Sequence, residues 1–313
     1  MAGEQFRDEI KGMGLKRRAF LQRSALALAA LGLSEAGFFA WSDRYQQVLA
    51  QPTRRKLALL VGINQYPDQV CDCSPLKGAA LTGCLTDVEL QRELLIHRFG
   101  FQPSDILTLT DQEATRQAIE SAFLFHLVEQ AQSGDVVVFH FSGLGSQIHD
   151  EAGTEVQNSL VPVDGLLPTV ENPVVNDVLE DTLALLLRSL ATDQVTTILD
   201  TSQADLGRVL QGNLRIRSRP NALAGQPHAE ELALQERLIS RTRLDRAKIR
   251  SQWQSGQVPG VLLTAARANQ IATEAQWNGF SAGLFTYALT QQLWWTTPAT
   301  TLRTTLSLAS GNV

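Results

Sequence analysis

Cysteine is scarce in this chain. The 313 residues hold three, Cys71, Cys73 and Cys84, an odd and small number that excludes a disulfide framework. Cys71 and Cys73 flank Asp72, and no second pair at C-x2-C or H-x3-H spacing accompanies them, so they read as loop thiols rather than half of a zinc site. An excess of basic charge is missing too. Lys and Arg number 27 against 32 Asp and Glu, for a net charge of -5. A surface that holds phosphate backbones needs a basic field, so nucleic acid is excluded and proteins are the expected partners. The apolar run from Ser24 to Leu33 falls short of the about 20 residues a membrane-spanning helix needs, and extending it through Glu35 to Trp41 gives only a weak anchor. Internal repeats and low-complexity tracts are absent, which leaves one large domain with appendages as the expectation.

What precedes that apolar run is informative. Lys16, Arg17, Arg18, Ala19, Phe20 and Leu21 match the twin-arginine export pattern R-R-x-F-L. Residues 13–50 are therefore expected to be an export signal, or a retained membrane anchor, for the periplasm or an equivalent lumen. Met13 is an alternative start, and a cut could follow Ala50, although no A-x-A pattern marks it.

Beyond the signal, β-branched apolar runs alternate with helical spacing. Leu57 to Ile63, Ile106 to Leu109, Val136 to Ser142, Val195 to Asp200 and Val261 to Ala266 read as buried strands. Thr86 and Glu89 have capping-box spacing ahead of Leu90, Leu94 and Leu95, with Asp87 at the first helical position. Ile119, Phe123, Leu127 and Ala131 give a second helix, and a third runs from about Asp181 to Leu190. The expected fold is α/β, a mainly parallel sheet with helices on both faces. Ligands in such sheets bind beyond the carboxyl ends of the strands, where Leu144, Asp200 and Ser202 fall. Residues 206–258 differ in composition: Arg215, Arg217 and Arg219 stand among Gly, Asn and Pro, and Glu230 to Trp253 reads as a charged helix with a solvated face.

Several of these stretches resemble one family. The turn Ser142-Gly143-Leu144-Gly145 resembles the S-G-H-G of caspases and metacaspases, the peptidase C14 proteins, with leucine in place of the catalytic histidine. Asp200-Thr201-Ser202-Gln203 is similar to their D-S-C-H, with Ser202 in place of the nucleophilic cysteine. LALLVGINQY, LKGAALTGCLTDV and, near the C-terminus, Asn269 to Glu274 with Gly283 to Thr286 resemble further family motifs in the right order. The resemblance implies a caspase-like large subunit at 54–205, a charged linker at 206–258 where relatives cut themselves after basic residues, and a small-subunit part at 259–313 that ends without an evident finishing element. It also implies a specificity pocket for Arg or Lys built on Asp87, Asp200 and Ser142, and an oxyanion turn at Gly143 and Gly145. Some relatives bind calcium through aspartates, but Asp177, Glu180 and Asp181 do not align cleanly, so no cofactor is expected.

A thiol protease needs an ionisable nucleophile, a base and N–H donors for the oxyanion. Serine without a base serves poorly as the first, and leucine cannot be the second. Loss of such a pair costs roughly 10^6-fold in turnover, about 8 kcal/mol of barrier. His140 should be buried or turned away, and His149, in the loop that follows, is the remaining histidine that could approach Ser202. The expectation is a pseudoprotease that captures basic peptide segments or modulates an active relative. The rivals are an active endopeptidase using Ser202 and a scaffold without enzymatic function.

Overall fold

The computed structural model describes residues 35–70, 80–149, 156–203, 214–219, 223–242, 245–267, 270–277 and 279–296. The twin-arginine pattern, the apolar run after it, Cys71 and Cys73 lie outside these residues. In chain order the elements are helix α1 (Glu35–Leu49), strand β1 (Lys56–Gly62), α2 (Cys84–Phe99), β2 (Ile106–Thr110), α3 (Arg116–Ala122) with a π-helical turn (Phe123–Val128), and β3 (Val136–Ser142). Four short strands follow, β4 (Gly145–His149), β5 (Val156–Leu160), β6 (Val174–Val175) and β7 (Val178–Leu179), then α4 (Glu180–Arg188) and β8 (Val195–Asp200). The last third holds β9 (Leu214–Ile216), β10 (Leu223–Ala224), β11 (Gln226–Pro227), α5 (Ala229–Thr242), α6 (Arg246–Gln254), β12 (Val261–Thr264), β13 (Thr273–Trp277), β14 (Phe280–Gly283) and α7 (Leu284–Thr296).

The central sheet has strand order β12-β8-β3-β1-β2 and every pairing in it is parallel. Side chains alternate across it, as a pleated strand requires. Leu57, Leu59 and Val61 of β1 join Val137, Phe139 and Phe141 of β3 in one core with Leu183, Leu186, Leu234 and Ile249. Ala58, Leu60, Val136 and Val138 face a second core with Phe38, Leu94, Phe99 and Phe285. Both faces are covered by helices, which is the expected class and explains why these strands are apolar throughout.

Three local expectations are revised. Helix α2 begins at Cys84, not beside Thr86, because outside groups satisfy its first donors. The Cys84 N–H donates to Asn64 Oδ1 (2.8 Å) and the Gly83 N–H to Glu274 Oε2 (3.0 Å), so Gly83 is the N-cap and Asp87 sits a turn in. The segment expected as a charged linker contains α5 and α6, whose Leu234, Leu238 and Ile249 are core residues. Leu234 and Leu238 are four apart, so one stripe packs inward, while Glu230, Glu236 and Arg237 stay outside. Helix α1, within the span expected to be signal, buries Phe38, Tyr45 and Leu49.

Glu231 of α5 ties that helix to α4. Its Oε1 accepts from the Leu179 N–H (2.6 Å) and the Thr182 hydroxyl (2.7 Å), and burial pushes the carboxyl up from 4.5 to about 8. The folded state therefore holds a proton that the unfolded chain releases, and this group's contribution to stability falls as pH rises from about 4.5 through 8. Glu231→Gln keeps the accepting oxygen and removes the titration. The variant should match wild type in thermal melts at pH 5 and exceed it at pH 9 by several degrees, at about 2–4 °C per kcal/mol. An unchanged difference across pH would contradict this.

Candidate functional site

At the carboxyl ends of β3 and β8 the second core turns polar. The register pairs Ser142 with Asp200, so Leu144 and Ser202 each lie two residues past the same rung, on adjoining turns. The turns touch: a Cβ on Gly145 would stand 2.4 Å from the Ser202 carbonyl oxygen and 2.6 Å from Thr201 Oγ1, so only glycine lets them close.

The three residues expected to form the pocket converge on the guanidinium of Arg217. Its Nη2 lies 2.7 Å from Asp87 Oδ2 and 3.3 Å from Glu274 Oε2, and its Nη1 lies 3.2 Å from Asp200 Oδ1. Nη1 also donates to Ser142 Oγ (2.7 Å), which donates onward to Asp87 Oδ2 (2.7 Å). The carboxylates are themselves held. Asp87 accepts from the Gly283 N–H (2.9 Å). Asp200 Oδ2 accepts from the N–H and hydroxyl of Thr286 in the first turn of α7 (3.0 and 2.6 Å), where the helix dipole favours a negative charge. Glu274 Oε1 accepts from the Thr82 N–H (2.7 Å). Gly283 leaves room for the cluster, since a Cβ there would meet Asp200 Oδ2 at 2.2 Å and Arg217 Nη1 at 2.6 Å.

Asp87, Asp200, Ser142 and Arg217 are all fully buried. Three carboxyl groups thus share one guanidinium inside the protein, and surplus buried charge is costly. Burial pushes the Asp87 carboxyl up to about 7 against the pull of Arg217. Burial works against the Arg217 cation as well, but Asp200, Asp87 and Glu274 outweigh it and hold its proton more tightly than usual.

The main chain of Arg217 is gripped too. Its carbonyl oxygen accepts from the N–H of Gly145 (3.1 Å) and of Ser202 (3.0 Å) and from the Thr201 hydroxyl (3.2 Å). Two convergent backbone donors at this distance are what stabilises an oxyanion in acyl transfer. Of the two glycines of the turn, Gly145 supplies one of these donors. The Gly143 N–H points instead to the Asp200 carbonyl at 3.5 Å.

Leu144 and Ser202 form no proton-transfer pair with each other or with a neighbour among the described residues. Leu144 is buried against Val70, Leu81, Cys84, Val161 and Tyr66, and its N–H donates to the Tyr66 hydroxyl (3.0 Å). Ser202 Oγ is buried and has no hydrogen-bond partner among the described residues. His140 lies within 3.3 Å of Thr286 Oγ1, and burial holds its imidazole down at about 4, neutral at pH 7. His149 does not sit in a loop: it ends strand β4, four residues past Gly145 and about 13 Å along the strand. Cys84 is a free thiol beside Leu144, and burial pushes it up, away from the reactive thiolate. Asp177 is engaged by Arg219, Asp181 by Arg250 and Glu180 by Asn158. Among the described residues no group of three or more His, Cys, Asp or Glu side chains is arranged to hold a metal ion.

Arg217 and Glu274 are the members of this cluster that the motifs alone do not assign. The alternation Arg215-Ile216-Arg217-Ser218-Arg219 is a strand pattern with cations on one face, and that was the available signal.

Residues 56–210 match the metacaspase, peptidase C14 domain. The chain is 35% identical over 129 residues to Metacaspase-3 of Arabidopsis thaliana, taking in 39% of this chain and 33% of that one. It is 33% identical over 129 residues to Metacaspase-1 of Schizosaccharomyces pombe, taking in 39% and 28%. The chain thus spans a third or less of the length of these curated relatives. A solved structure from Geobacter sulfurreducens aligns at 20% identity over 74% of this chain and 79% of its own, with a TM-score of 0.45. Parallel strands, a glycine turn and an acid at the end of the neighbouring strand all fall inside residues 56–210, and it is over this segment, just under half of the chain, that the sequence matches the caspase-like peptidase C14 domain of the metacaspase type.

Proposed function

We propose that this chain is a pseudoprotease, a caspase-like domain that keeps arginine recognition and lacks peptide cleavage. One observation carries the reading. An arginine side chain is held by Asp87, Asp200, Glu274 and Ser142 while its carbonyl rests on two N–H donors, and the groups beside that carbonyl are an aliphatic side chain and an unactivated hydroxyl. A planar guanidinium between carboxylates is specific recognition. Recognition without a base within about 3 Å of the nucleophile's proton does not become turnover. The biological task is then binding, with arginine-bearing segments as the ligand class, this chain's own or, where that one is displaced, another protein's, and the twin-arginine pattern supports a task outside the cytoplasm.

Purified protein incubated with an arginyl-amide substrate should release amine at the rate of buffer alone, and Ser202→Ala should leave that rate unchanged. Turnover that disappears in Ser202→Ala would make this an active serine-dependent endopeptidase and end the proposal.

A further inference from the structure

We infer that the Arg217–Ser218 peptide unit is an internal pseudosubstrate: the chain seats its own segment, residues 214–219, in the arginine site and so shuts out basic peptides from elsewhere. This rests on the reading of the acids as an arginine pocket and adds which arginine fills it, in which register, and with what effect on access.

Side chain, carbonyl and flanking backbone are each held in the way an acyl-transfer site holds the residue before a cut. The guanidinium fills the acidic pocket and the carbonyl lies on the Gly145 and Ser202 N–H groups. On one side the Arg217 N–H donates to the Ala272 carbonyl (2.9 Å), continuing the pairing of β9 with β13. On the other side Ser218 bridges Gly145 in parallel, and the Arg219 N–H donates to the Gly145 carbonyl (2.7 Å). An extended segment fixed by main-chain bonds, with one side chain read in a pocket, is the general form of strand-type peptide recognition. The register is unique among the three arginines. Arg215 Nε donates to the Ala80 carbonyl (2.8 Å) and Arg219 pairs with Asp177, so only Arg217 reaches the pocket acids. The bond that a competent nucleophile at position 202 would meet is Arg217–Ser218.

The double replacement Leu144→His with Ser202→Cys makes this visible. The thiolate introduced at 202 would add to the Arg217 carbonyl carbon, and the C–N bond to Ser218 would break as the imidazolium introduced at 144 protonates the Ser218 nitrogen. Water would then hydrolyse the thioester, leaving a carboxylate on Arg217 and restoring the thiol. Intact mass and N-terminal sequencing should show a single nick with Ser218 as the new N-terminus, formed at a rate independent of protein concentration. A nick after Arg215 or Arg219, or turnover of an added arginyl peptide with the chain left whole, would overturn the inference while leaving the arginine pocket standing.

Binding decides it without catalysis. Nα-acetyl-arginine methylamide, followed by calorimetry and thermal shift, should bind Arg217→Ala roughly tenfold or more tightly than wild type and raise the melting temperature of the variant alone. Wild type binding as tightly as the variant would overturn the inference. A ligand that binds neither protein would overturn it together with the pocket. Arg217→Lys, which keeps the cation, serves if the alanine variant does not fold and should exclude the ligand less well than wild type.

Discussion

Arg217→Leu should lower stability by about 3–5 kcal/mol at pH 7.5, the cost of stranding a buried charge partner. The reason lies in what remains. Asp87, Asp200 and Glu274 keep their places around a site that no longer contains a cation, and each must either stay ionised in a closed interior or take up a proton. Taking up a proton costs more as the pH moves above a carboxyl group's ordinary value, so the penalty should shrink at pH 5 and grow toward pH 9. Urea midpoints measured at both pH values test this, with Arg217→Lys as the control that keeps the charge and loses the planar fork. A loss below about 1 kcal/mol that is the same at both pH values would mean the guanidinium contributes little to holding the turns together.

Removing residues 1–50 should be as damaging. Phe38, Tyr45 and Leu49 are buried in the second core, at about 1.5–3 kcal/mol each. The total approaches the whole stability of an ordinary domain, about 5–15 kcal/mol. Polar ties go with them: the Tyr45 hydroxyl donates to Gln91 Oε1 (3.1 Å), and Lys56 Nζ donates to the Leu49 carbonyl (2.6 Å). A chain beginning at Gln51 is expected to be insoluble or to melt many degrees below one beginning at Glu35. Equal melting temperatures for the two would show α1 to be dispensable. The same packing bears on export: a cut after Ala50 would strip a core helix, whereas a cut ahead of Glu35 would leave the described domain whole.

The strands were legible because their physics is local. Leu57 to Gly62 and Val136 to Ser142 are apolar on both faces, which only a sheet covered on both sides explains, and the glycines after Ser142 mark the turn. The meeting of Asp87 with Asp200 followed from the family resemblance, since nothing in the spacing of two residues 113 apart brings them together. What stayed hidden was settled by contacts distant in sequence. Glu274 caps α2 across 191 residues to Gly83, so the capping-box spacing of Thr86 and Glu89 predicted a start that a remote carboxylate moved. Arg217 stands among glycine, asparagine and proline and between two other arginines, and composition alone reads such a stretch as solvated. Arg217 and Arg219 both turn inward, and only the register of β9 against β13, with the bridge from Ser218 to Gly145, brings Arg217 rather than Arg219 to the pocket acids.

The bond between Thr82 and Glu274 also spans 192 residues. On a ribosome adding about 5–20 residues per second, the first part of the chain waits about 10–40 s for that carboxylate to emerge. For most of that interval Asp87 lacks Arg217, and for all of it the N–H of Gly283, so it must remain hydrated, and the Gly83 N–H at the start of α2 has no carboxylate to meet. The nascent chain can assemble β1, β2 and β3 early, but the floor of the arginine site is the last part of the domain to close.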